Sequence, residues 1–328
     1  MIVVTGGAGF IGSNLLAALE AAGQGPLVVC DRLRQADKWR NIAKRELAAV
    51  ILPEQLDGFL ETWRLHIRLI VHLGAVSATT ERDADLILRS NIQLTLNLWD
   101  WCARHGVRFI YASSAAVYGD GAQGFRDDAD PAALAALRPL NPYGWSKLFV
   151  DRRIARLLAE GATPPPQWAG LRFFNVYGPN EFHKADMMSV VCKLYPRAAM
   201  GESARLFRSH RPDYADGGQL RDFIHVDDCV AVLRWLIDNP AVSGLFNCGT
   251  GTARSFADLA SAVFRAVGRE PRLEFVDTPA DIRARYQYFT QADTAKLRAA
   301  GFQGQFTPLE RGVESYVAGY LAAADPYR

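Results

Sequence analysis

A phenol and an ammonium group stand four residues apart in the segment Tyr143-Gly144-Trp145-Ser146-Lys147. Residues at this spacing lie on the same face of a helix, so the two groups can act together. Because a nearby cation favours phenolate over phenol, we expect Lys147 to lower the pKa of Tyr143 towards that of a useful base at neutral pH. A Tyr and a Lys four apart are a weak signal alone, so their meaning depends on what accompanies them.

An apolar segment that ends in hydroxyl side chains precedes this pair. It runs through Tyr111 and Ala112 to Ser113 and Ser114, which is typical of a buried strand with a polar carboxyl end. Open α/β sheets bind their ligands at the carboxyl ends of the strands. Ser114 is therefore predicted to hydrogen-bond the reacting oxygen of a substrate.

A glycine-rich turn follows the first apolar run of the chain. Thr5-Gly-Gly-Ala-Gly-Phe-Ile-Gly12 lies between a strand and an amphipathic helix, which is the context of a dinucleotide-binding turn. Both a Gly7-x-Gly9-x-x-Gly12 and a Gly6-x-x-Gly9-x-x-Gly12 spacing are present. Glycines let backbone N–H groups approach a pyrophosphate at the positive end of the helix. The alternative is a turn that only joins strand to helix.

Charged residues after the second predicted strand bear on the choice of dinucleotide. Asp31 stands where a carboxylate would accept hydrogen bonds from the adenosine ribose, which alone indicates NAD. Arg32, Lys38 and Arg40 follow and can pair with a 2′-phosphate, so the sequence favours NADP, with NAD left open. The alternative for these cations is an ordinary solvated loop.

Strand-length apolar runs alternate with segments of helical pattern. The predicted strands are Ile2–Thr5, Leu27–Asp31, Leu69–Gly74, Phe109–Ser113 and Leu171–Asn175, with a weaker one at Ala48–Leu52. The predicted helices are Gly12–Ala22, Asp85–His105 and Tyr143–Glu160. This alternation predicts the α/β class, with a Rossmann-type, doubly wound parallel sheet that has helices on both faces.

The regular alternation fades in the second half of the chain. We expect residues 1–175 to form a dinucleotide-binding domain, to which a segment at about 215–255 returns, and residues 176–328 to form mainly a smaller α/β substrate-binding lobe. The polar stretch Arg205–Arg221 contains glycine and proline and is predicted to be one long, functional loop.

Composition excludes several classes of protein. The 37 basic and 35 acidic residues of the 328 leave a net charge of +2, which provides no field to attract nucleic acid or an anionic membrane. No apolar run reaches the length of a membrane span, and the first residues resemble no signal peptide. The five cysteines lack metal or redox spacing, so we expect buried free thiols, no metal and a cytoplasmic location.

Taken together, these motifs resemble the extended short-chain dehydrogenases that modify nucleotide sugars. The resemblance rests on TGGAGFIG at 5–12, YASSAAVYG at 111–119, PYGWSK at 142–147 and RFFNVYGPN at 172–180. Within that superfamily the chain resembles the ADP-glyceromanno-heptose 6-epimerase family. The segments that carry this are HLGAVSATTE at 72–81, FNVYGPNEFHK at 174–184, QLRDFIHVDDC at 219–229 and RYQYFTQAD at 285–293.

This resemblance implies an isomerase that interconverts ADP-D-glycero- and ADP-L-glycero-β-D-manno-heptose at C6, for the inner core of lipopolysaccharide. A tightly bound NADP would take a hydride and return it to the other face of the transient ketone. Because the ketone must rotate in between, its oxygen needs proton donors in two places. Tyr143 would be one and Lys184 the other, with His183 as a rival by its ordinary pKa. The family is homopentameric.

The resemblance also implies binding residues. For the dinucleotide they are Gly6, Gly9, Phe10, Ile11, Gly12, Asp31, Arg32, Lys38, Leu73, Gly74, Ala75, Val76, Ser77, Asn91, Lys147, Val176 and Lys184. For the substrate they are Asn175, Asp186, Lys193, Phe207, Arg208, Ser209, Arg221 and Tyr286. Among these, Arg221 has the chemistry to clamp a phosphate. The segment His210–Gln219 is an elaboration on the family pattern.

Two alternative interpretations of the sequence stay open. The first is another nucleotide-sugar enzyme, either a hexose 4-epimerase or a 4,6-dehydratase. Dehydratases of this superfamily usually carry an Asp-Glu pair after the active serine, whereas Ala115-Ala116 stands here, which disfavours dehydration. The second is a non-enzymatic NADP sensor on the same fold. Such proteins have typically lost the Tyr-x-x-x-Lys pair, which this chain retains.

Overall fold

The computed structural model describes residues 1–34, 37–279, 283 and 286–328. The strands are β1 Ile2–Thr5, β2 Leu27–Cys30, β3 Ala49–Ile51, β4 Leu69–His72, β5 Arg108–Ser114, β6 Trp168–Phe173, β7 Asn175–Tyr177, β8 Ala204–Phe207, β9 Leu220–His225, β10 Gly244–Cys248, β11 Ala253–Ser255 and β12 Leu273–Val276. Of the predicted segment at 285–293, Arg285 lies outside the described residues.

Helices connect most of these strands. They are α1 Phe10–Ala21, α2 Leu56–Trp63, α3 Ala84–Ile87, α4 Leu94–His105, α5 Pro131–Ala136, α6 Pro142–Ala159, α7 Val190–Met200, α8 Val226–Asp238, α9 Phe256–Ala266, α10 Ala295–Ala299 and α11 Leu309–Tyr316. Shorter 3-10 turns cover Asp37–Asn41, Pro53–Gln55, Ala115–Tyr118 and Phe182–Met187, and π-helical turns cover Leu88–Gln93 and Val317–Leu321. No helix among these is long and apolar enough to cross a membrane.

The central sheet has seven strands in the order β10-β6-β5-β4-β1-β2-β3. Each neighbouring pair is parallel. Side chains of a strand alternate between the two faces of a sheet. Accordingly, Val3 of β1 packs in a core with residues of α2, α4 and α6, whereas Ile2 and Val4 pack in a second core with residues of α1 and α8. The predicted doubly wound α/β sheet is confirmed.

The predicted elements of the first half are present with small shifts. The weaker strand predicted at Ala48–Leu52 exists as β3, at the edge of the sheet. The predicted helix Asp85–His105 is continuous but contains the π-helical turn Leu88–Gln93. The strand predicted to reach Asn175 ends at Phe173, because the chain leaves the central sheet there and Asn175 starts β7 in a different sheet.

Two small sheets form beside the central one. Strands β7, β9 and β11 make a three-stranded sheet, and β8 pairs with β12 in parallel. Helices α7, α9 and α11 pack over them around a third core. Between β9 and β11 the chain returns to the central sheet, where β10 pairs with β6 through the register Gly244 to Ala169.

The prediction of one loop over Arg205–Arg221 is wrong at both ends. Residues 204–207 form β8, and β9 begins at Leu220. Ala204 and Leu206 are buried, whereas Arg205 between them is exposed. This is the alternation of a half-buried strand, and it was obscured because the segment is so short and polar.

The glycine turn places α1 directly against the end of β1. Gly6 has a φ of +67°, in the left-handed region that L side chains rarely adopt. A Cβ built on Gly12 would lie 2.2 Å from the carbonyl oxygen of Gly6, and one on Gly6 would lie 2.5 Å from the amide nitrogen of Gly74. The backbone segments therefore approach one another so closely that only glycine fits.

Gly12→Ala is expected to destabilise the protein by about 1–3 kcal/mol, because the added methyl group forces the turn apart. Thermal unfolding of the purified variant measures this. Gly58→Ala is the matched control, since Gly58 also lies in a helix and a Cβ there would meet nothing within 4 Å. That control should be neutral or gain up to ~1 kcal/mol. Equal melting temperatures for the two variants would contradict this account of the turn.

Candidate active site

Tyr143 lies in the first turn of α6, at the carboxyl end of β5. Asn141 caps the helix, with its side-chain oxygen accepting a hydrogen bond from the Gly144 amide at 2.8 Å. A Cβ built on Gly144 would lie 2.6 Å from the carbonyl oxygen of Ala116. Gly144 therefore allows the helix to approach the end of the strand. Sequence reasoning missed this role, although the glycine directly after Tyr143 could have indicated it.

The environment of Tyr143 differs from the expectation in one respect. Burial raises the pKa of its phenol, and a hydrogen bond with Ser114 lowers it. The predicted lowering by Lys147 is therefore wrong for this structure. The reason is geometric, because the Lys147 ammonium donates a hydrogen bond to the Ala112 carbonyl oxygen at 2.8 Å. Ser114 and Tyr143 are nevertheless in contact at the end of β5.

Lys147 is buried beneath the same strand end. Burial lowers the pKa of its ammonium to about 8, and the negative charge of Asp151 opposes that shift. The neighbouring His72 is also buried, and burial followed by repulsion from Lys147 lowers the pKa of its imidazole to about 3. His72 is accordingly neutral at pH 7, and it is held between the hydroxyls of Thr5 at 2.6 Å and Thr95 at 2.9 Å.

Asp31 holds the glycine turn in place from the end of β2. One carboxylate oxygen accepts a hydrogen bond from the Ala8 amide at 3.0 Å, and the other accepts one from the Lys38 ammonium at 2.6 Å. Arg32 forms an ion pair with Glu54, in which both side chains are at least half exposed. Arg32, Lys38 and Arg40, the cations predicted beside the adenosine, are thus all next to carboxylates, since Arg40 lies 3.8 Å from Asp37.

The turn and the segment after β4 form a cradle at the N-terminus of α1, which is the setting of a dinucleotide phosphate site. A side chain at Gly6 would collide with the backbone of Gly74, and one at Gly12 with the backbone of Gly6, so only glycines allow this close arrangement. Asn91 fixes the continuation of that segment, because its side chain bonds both the amide of Val76 at 2.8 Å and its carbonyl at 2.9 Å. The residues present fit a nicotinamide dinucleotide.

The remaining residues predicted to contact the dinucleotide lie along the same edge or close to it. Phe10 and Ile11 start α1, and Leu73, Ala75 and Ser77 belong to the segment after β4. Val176 lies in β7 and is half-buried. No group of His, Cys, Asp and Glu side chains suited to a metal ion occurs in the described part of the chain. The five cysteines are free and buried, as expected.

Lys184 lies in a loop that is fastened to the glycine turn. Its ammonium is 4.8 Å from the centre of the Phe10 ring and 3.7 Å from a carboxylate oxygen of Glu181. Burial lowers the pKa of Lys184, and Glu181 opposes that shift. The next residue, Ala185, has a φ of +46°, which is strained for an L side chain.

Three asparagines fasten this loop. The side chain of Asn14 donates to the Pro179 carbonyl at 2.9 Å, and that of Asn180 donates to the Ser13 hydroxyl at 3.0 Å. The side chain of Asn41 bonds the carbonyls of Ala8 at 2.9 Å and Asn180 at 3.2 Å. Sequence reasoning did not find Asn14 or Asn41, since isolated asparagines carry no signal of this kind.

Glu181 is a further residue that sequence reasoning missed. Its carboxylate is fully buried and accepts hydrogen bonds from the amide and hydroxyl of Ser189, at 2.5 and 2.6 Å, and from the hydroxyl of Tyr316 at 3.2 Å. It thus anchors the loop at its carboxyl side and faces Lys184. In the sequence, its position three residues before Lys184 could have indicated that the two side chains pair.

His183 points away from that loop, towards the segment after β2. Its Nδ1 lies 3.1 Å from the side-chain nitrogen of Asn41. Burial, followed by the charges of Lys38 and Lys184, lowers the pKa of its imidazole to about 4. His183 is therefore neutral at pH 7 and lies at the adenosine end of the cradle.

The predicted substrate residues fall into separate groups. Phe207 and Tyr286 stack edge to face with their ring centres 5.9 Å apart, and the Arg221 guanidinium lies 5.5 Å from the Tyr286 ring. Arg208 and Ser209 follow directly after β8. Asn175 is exposed, and its side-chain oxygen lies 3.4 Å from the Thr290 hydroxyl.

Asp186 and Lys193 contact one another. The Lys193 ammonium donates to the Asp186 carbonyl oxygen, and both residues are exposed. Among the described residues, no hydrogen bond or ion pair joins them to the group around Arg221.

The segment His210–Gln219 packs against this aromatic group. The Tyr214 ring lies 5.1 Å from that of Tyr288, and the Arg211 guanidinium lies 5.3 Å from the Tyr288 ring. The amide of His210 donates to the Tyr288 hydroxyl at 2.9 Å. The elaboration therefore extends the aromatic wall around Tyr286.

Comparison with known proteins agrees with this geometry. Among curated proteins, the ADP-L-glycero-D-manno-heptose-6-epimerase of Nitratidesulfovibrio vulgaris strain DP4 is 50% identical, and that of Fusobacterium nucleatum 43% identical, each over the full length of both chains. The crystal structure of the Helicobacter pylori enzyme of that name has a TM-score of 0.78 at 29% identity, covering 97% of this chain and 95% of that one.

A second solved structure carries a nicotinamide cofactor. The Thermus thermophilus UDP-glucose 4-epimerase, in complex with NAD, has a TM-score of 0.74 at 25% identity and covers 97% of both chains. A sequence model described as the NAD dependent epimerase/dehydratase family matches residues 2–249. The chain therefore belongs to the NAD dependent epimerase/dehydratase family.

Proposed function

We propose that this protein interconverts ADP-D-glycero- and ADP-L-glycero-β-D-manno-heptose at C6, with a tightly bound NADP, and so supplies the heptose of the lipopolysaccharide inner core. The observation that carries the proposal is the 43–50% identity, over the full length of both chains, with curated enzymes that bear this name. The site agrees with it because the chain provides two distinct acid/base groups, Tyr143 and Lys184.

The chemistry demands two such groups. When bound, an oxidised nicotinamide would supply the redox chemistry, as acceptor of the C6 hydrogen as a hydride and as its donor to the opposite face. The ketone at C6 rotates before the hydride returns. Its oxygen therefore occupies one position when the alcohol is oxidised and another when the ketone is reduced. One residue must accept a proton at the first place and another must donate one at the second.

Tyr143 serves one of these positions. Ser114 is assigned to hydrogen-bond and orient the same substrate oxygen, and its hydrogen bond with Tyr143 supports this role. Lys147, with a pKa of about 8, is mainly protonated at pH 7, and its ammonium is hydrogen-bonded to the Ala112 carbonyl oxygen rather than directed at the phenol. We assign it to the nicotinamide ribose, at the end of the same strand.

Lys184 serves the other position. Its lowered pKa helps an ammonium to release a proton to the ketone oxygen, and the buried Glu181 keeps it close to the turn. His183 is the less suitable group, since it faces Asn41 and Lys38 and has a pKa of about 4.

NADP is our choice of dinucleotide, and NAD is the alternative. The ion pair of Arg32 with Glu54 is exposed, and such pairs contribute about 0–1 kcal/mol, so the guanidinium can exchange Glu54 for a 2′-phosphate at little cost. Lys38 is close to the same place, beside Asp31. Both cations can thus serve a phosphate without a change in the fold.

The nucleotide end of the substrate is assigned mainly to the smaller lobe of residues 176–328. A segment of that lobe at about 215–255 returns to the dinucleotide-binding domain of residues 1–175. The group of Phe207, Arg208, Ser209, Arg221 and Tyr286 would hold the diphosphate and base, with Asn175 nearer the sugar. Asp186 and Lys193 would complete it. We also propose that the protein is cytoplasmic and forms a homo-oligomer, which family resemblance suggests is a pentamer.

The first test is incubation of the purified protein with ADP-D-glycero-β-D-manno-heptose, without added oxidant or reductant. We expect a mixture of C6 epimers by NMR, because the hydride is returned rather than consumed. Denaturation should release NADP. Rapid turnover of UDP-galactose, with ADP-heptose left unchanged, would instead establish a hexose 4-epimerase.

Tyr143→Phe is expected to lower kcat by about 10²- to 10⁴-fold, which is the usual contribution of a positioned acid/base group. Bound dinucleotide, measured after denaturation, should be unchanged. Tyr195→Phe on α7 is the control for loss of a phenol hydroxyl and should keep wild-type kcat. If the Tyr143 variant still supplied heptose to the cell envelope, the alternative interpretation as a non-enzymatic NADP sensor would be supported.

Lys184→Met should lower kcat to a similar degree, about 10²- to 10⁴-fold, while dinucleotide remains bound. The substitution keeps an unbranched side chain that is one atom shorter, and it removes the amino group with its proton and charge. Lys44→Met is the control, because Lys44 is an exposed lysine that pairs with Asp325. Near wild-type turnover of the Lys184 variant would refute the two-base scheme and direct attention to His183.

A further inference from the structure

An ion pair lies fully buried behind the site and has no part in the chemistry described so far. Arg172 of β6 and Asp151 of α6 are both wholly inaccessible to solvent. The Nε and one terminal nitrogen of the guanidinium each lie 2.9 Å from the same carboxylate oxygen of Asp151. Such a pair is unusual in the middle of a parallel sheet, whose strands are normally apolar.

Asp151 stands on the helix that carries the reacting groups. It follows Lys147 by four residues and Tyr143 by eight, so the three share one face of α6. Its carboxylate accepts hydrogen bonds from the hydroxyls of Ser113 at 3.0 Å and Tyr111 at 3.1 Å, both on β5. Asp151 thus ties the face of the helix to the strand that ends in Ser114.

Arg172 extends the connection across the sheet. It is paired in register with Ser113, on the adjacent strand. A terminal nitrogen donates to the Tyr118 hydroxyl at 3.0 Å, and that hydroxyl donates to the Asn247 side-chain oxygen of β10 at 2.6 Å. A continuous polar chain therefore joins α6, β5, β6, the turn after β5 and β10.

Stability alone does not account for such a pair. Removing two charges from water costs free energy that their attraction only partly returns, and well-packed apolar residues of similar volume are often as stable or more so. An apolar pair cannot form directional hydrogen bonds. The hydrogen bonds of Asp151 fix the rotation and height of α6 relative to β5, whereas apolar contacts tolerate sliding.

We infer that Asp151 and Arg172 are positioning residues, which hold α6 against β5 so that Tyr143 and Lys147 face Ser114 at the distance the reaction needs. This inference rests on the proposed roles of Tyr143 and Ser114. Neither Asp151 nor Arg172 touches the substrate. A displacement of about 1 Å between reacting groups can cost about 10²-fold in rate, so a small loss of register is enough to matter.

The test must remove the pair without leaving a lone buried charge. Single variants do leave one, and the protein would then fail to fold for a trivial reason. The double variant Asp151→Leu with Arg172→Met removes both charges and keeps much of the volume. We expect it to fold, to retain its dinucleotide and to keep KM within about twofold, while kcat falls by about 10²-fold.

A milder variant perturbs the same connection. Ser113→Ala removes one hydrogen bond from Asp151 and leaves the ion pair, and we expect kcat to fall by about tenfold. Thr250→Val is the matched control, because it removes a hydroxyl that bonds another buried carboxylate, Asp222, at 2.7 Å. The two should lose similar stability, but only the Ser113 variant should lose kcat. Equal kcat values for both variants would refute the inference.

A crystal structure of the double variant separates this inference from the proposed function. If Ser114 Oγ and Tyr143 OH keep their wild-type separation, or if the double variant keeps wild-type kcat, the pair is purely structural and the inference is wrong. If the wild-type protein leaves ADP-heptose unchanged, the proposed function fails, and the Ser114 to Tyr143 separation still decides the inference. A shifted α6 with a reduced kcat and an unchanged KM is the expected result.

Discussion

Parallel alignment of the central strands is the constraint on which the site depends. When neighbouring strands run in the same direction, their carboxyl ends meet at one edge of the sheet. The glycine turn, Asp31, the segment after His72 and Ser114 each lie at the carboxyl end of a different strand, and they are neighbours only because of that alignment. The helix that carries Tyr143 then needs to approach only one of those ends, and Gly144 allows it to do so.

Burial sets the electrostatics of this edge. Lys147 and Lys184 both have lowered pKa values because they are withdrawn from water, and each has a carboxylate, Asp151 or Glu181, that limits the shift. The two lysines differ in where those carboxylates sit. Asp151 is part of a rigid network inside the sheet, whereas Glu181 belongs to the same short loop as its lysine. One lysine is thus held in the core and the other on a loop.

Much of the fold and of the central site was predictable because the signals are local. Strand-length apolar runs gave the positions of β1, β2, β4 and β5, and the glycine spacing gave the turn. The errors have physical reasons. The short strand β8 was hidden by the charge of Arg205, and the pKa of Tyr143 depends on burial and on the acceptor that Lys147 finds, neither of which spacing reveals. Asn41 escaped notice because its partners, apart from Ala8, lie about 140 residues away.

The attachment of the Lys184 loop to α1 has a consequence for how the chain folds. Its hydrogen bonds join Asn14 to Pro179 and Ser13 to Asn180, which are 165 and 167 residues apart in sequence. Contacts of such separation require a large loop to close before they return any free energy, so they form late. During synthesis, α1 and the glycine turn leave the ribosome long before the loop that completes them. The amino-terminal half must therefore wait, with its turn only partly supported, until the chain beyond Asn180 has been made.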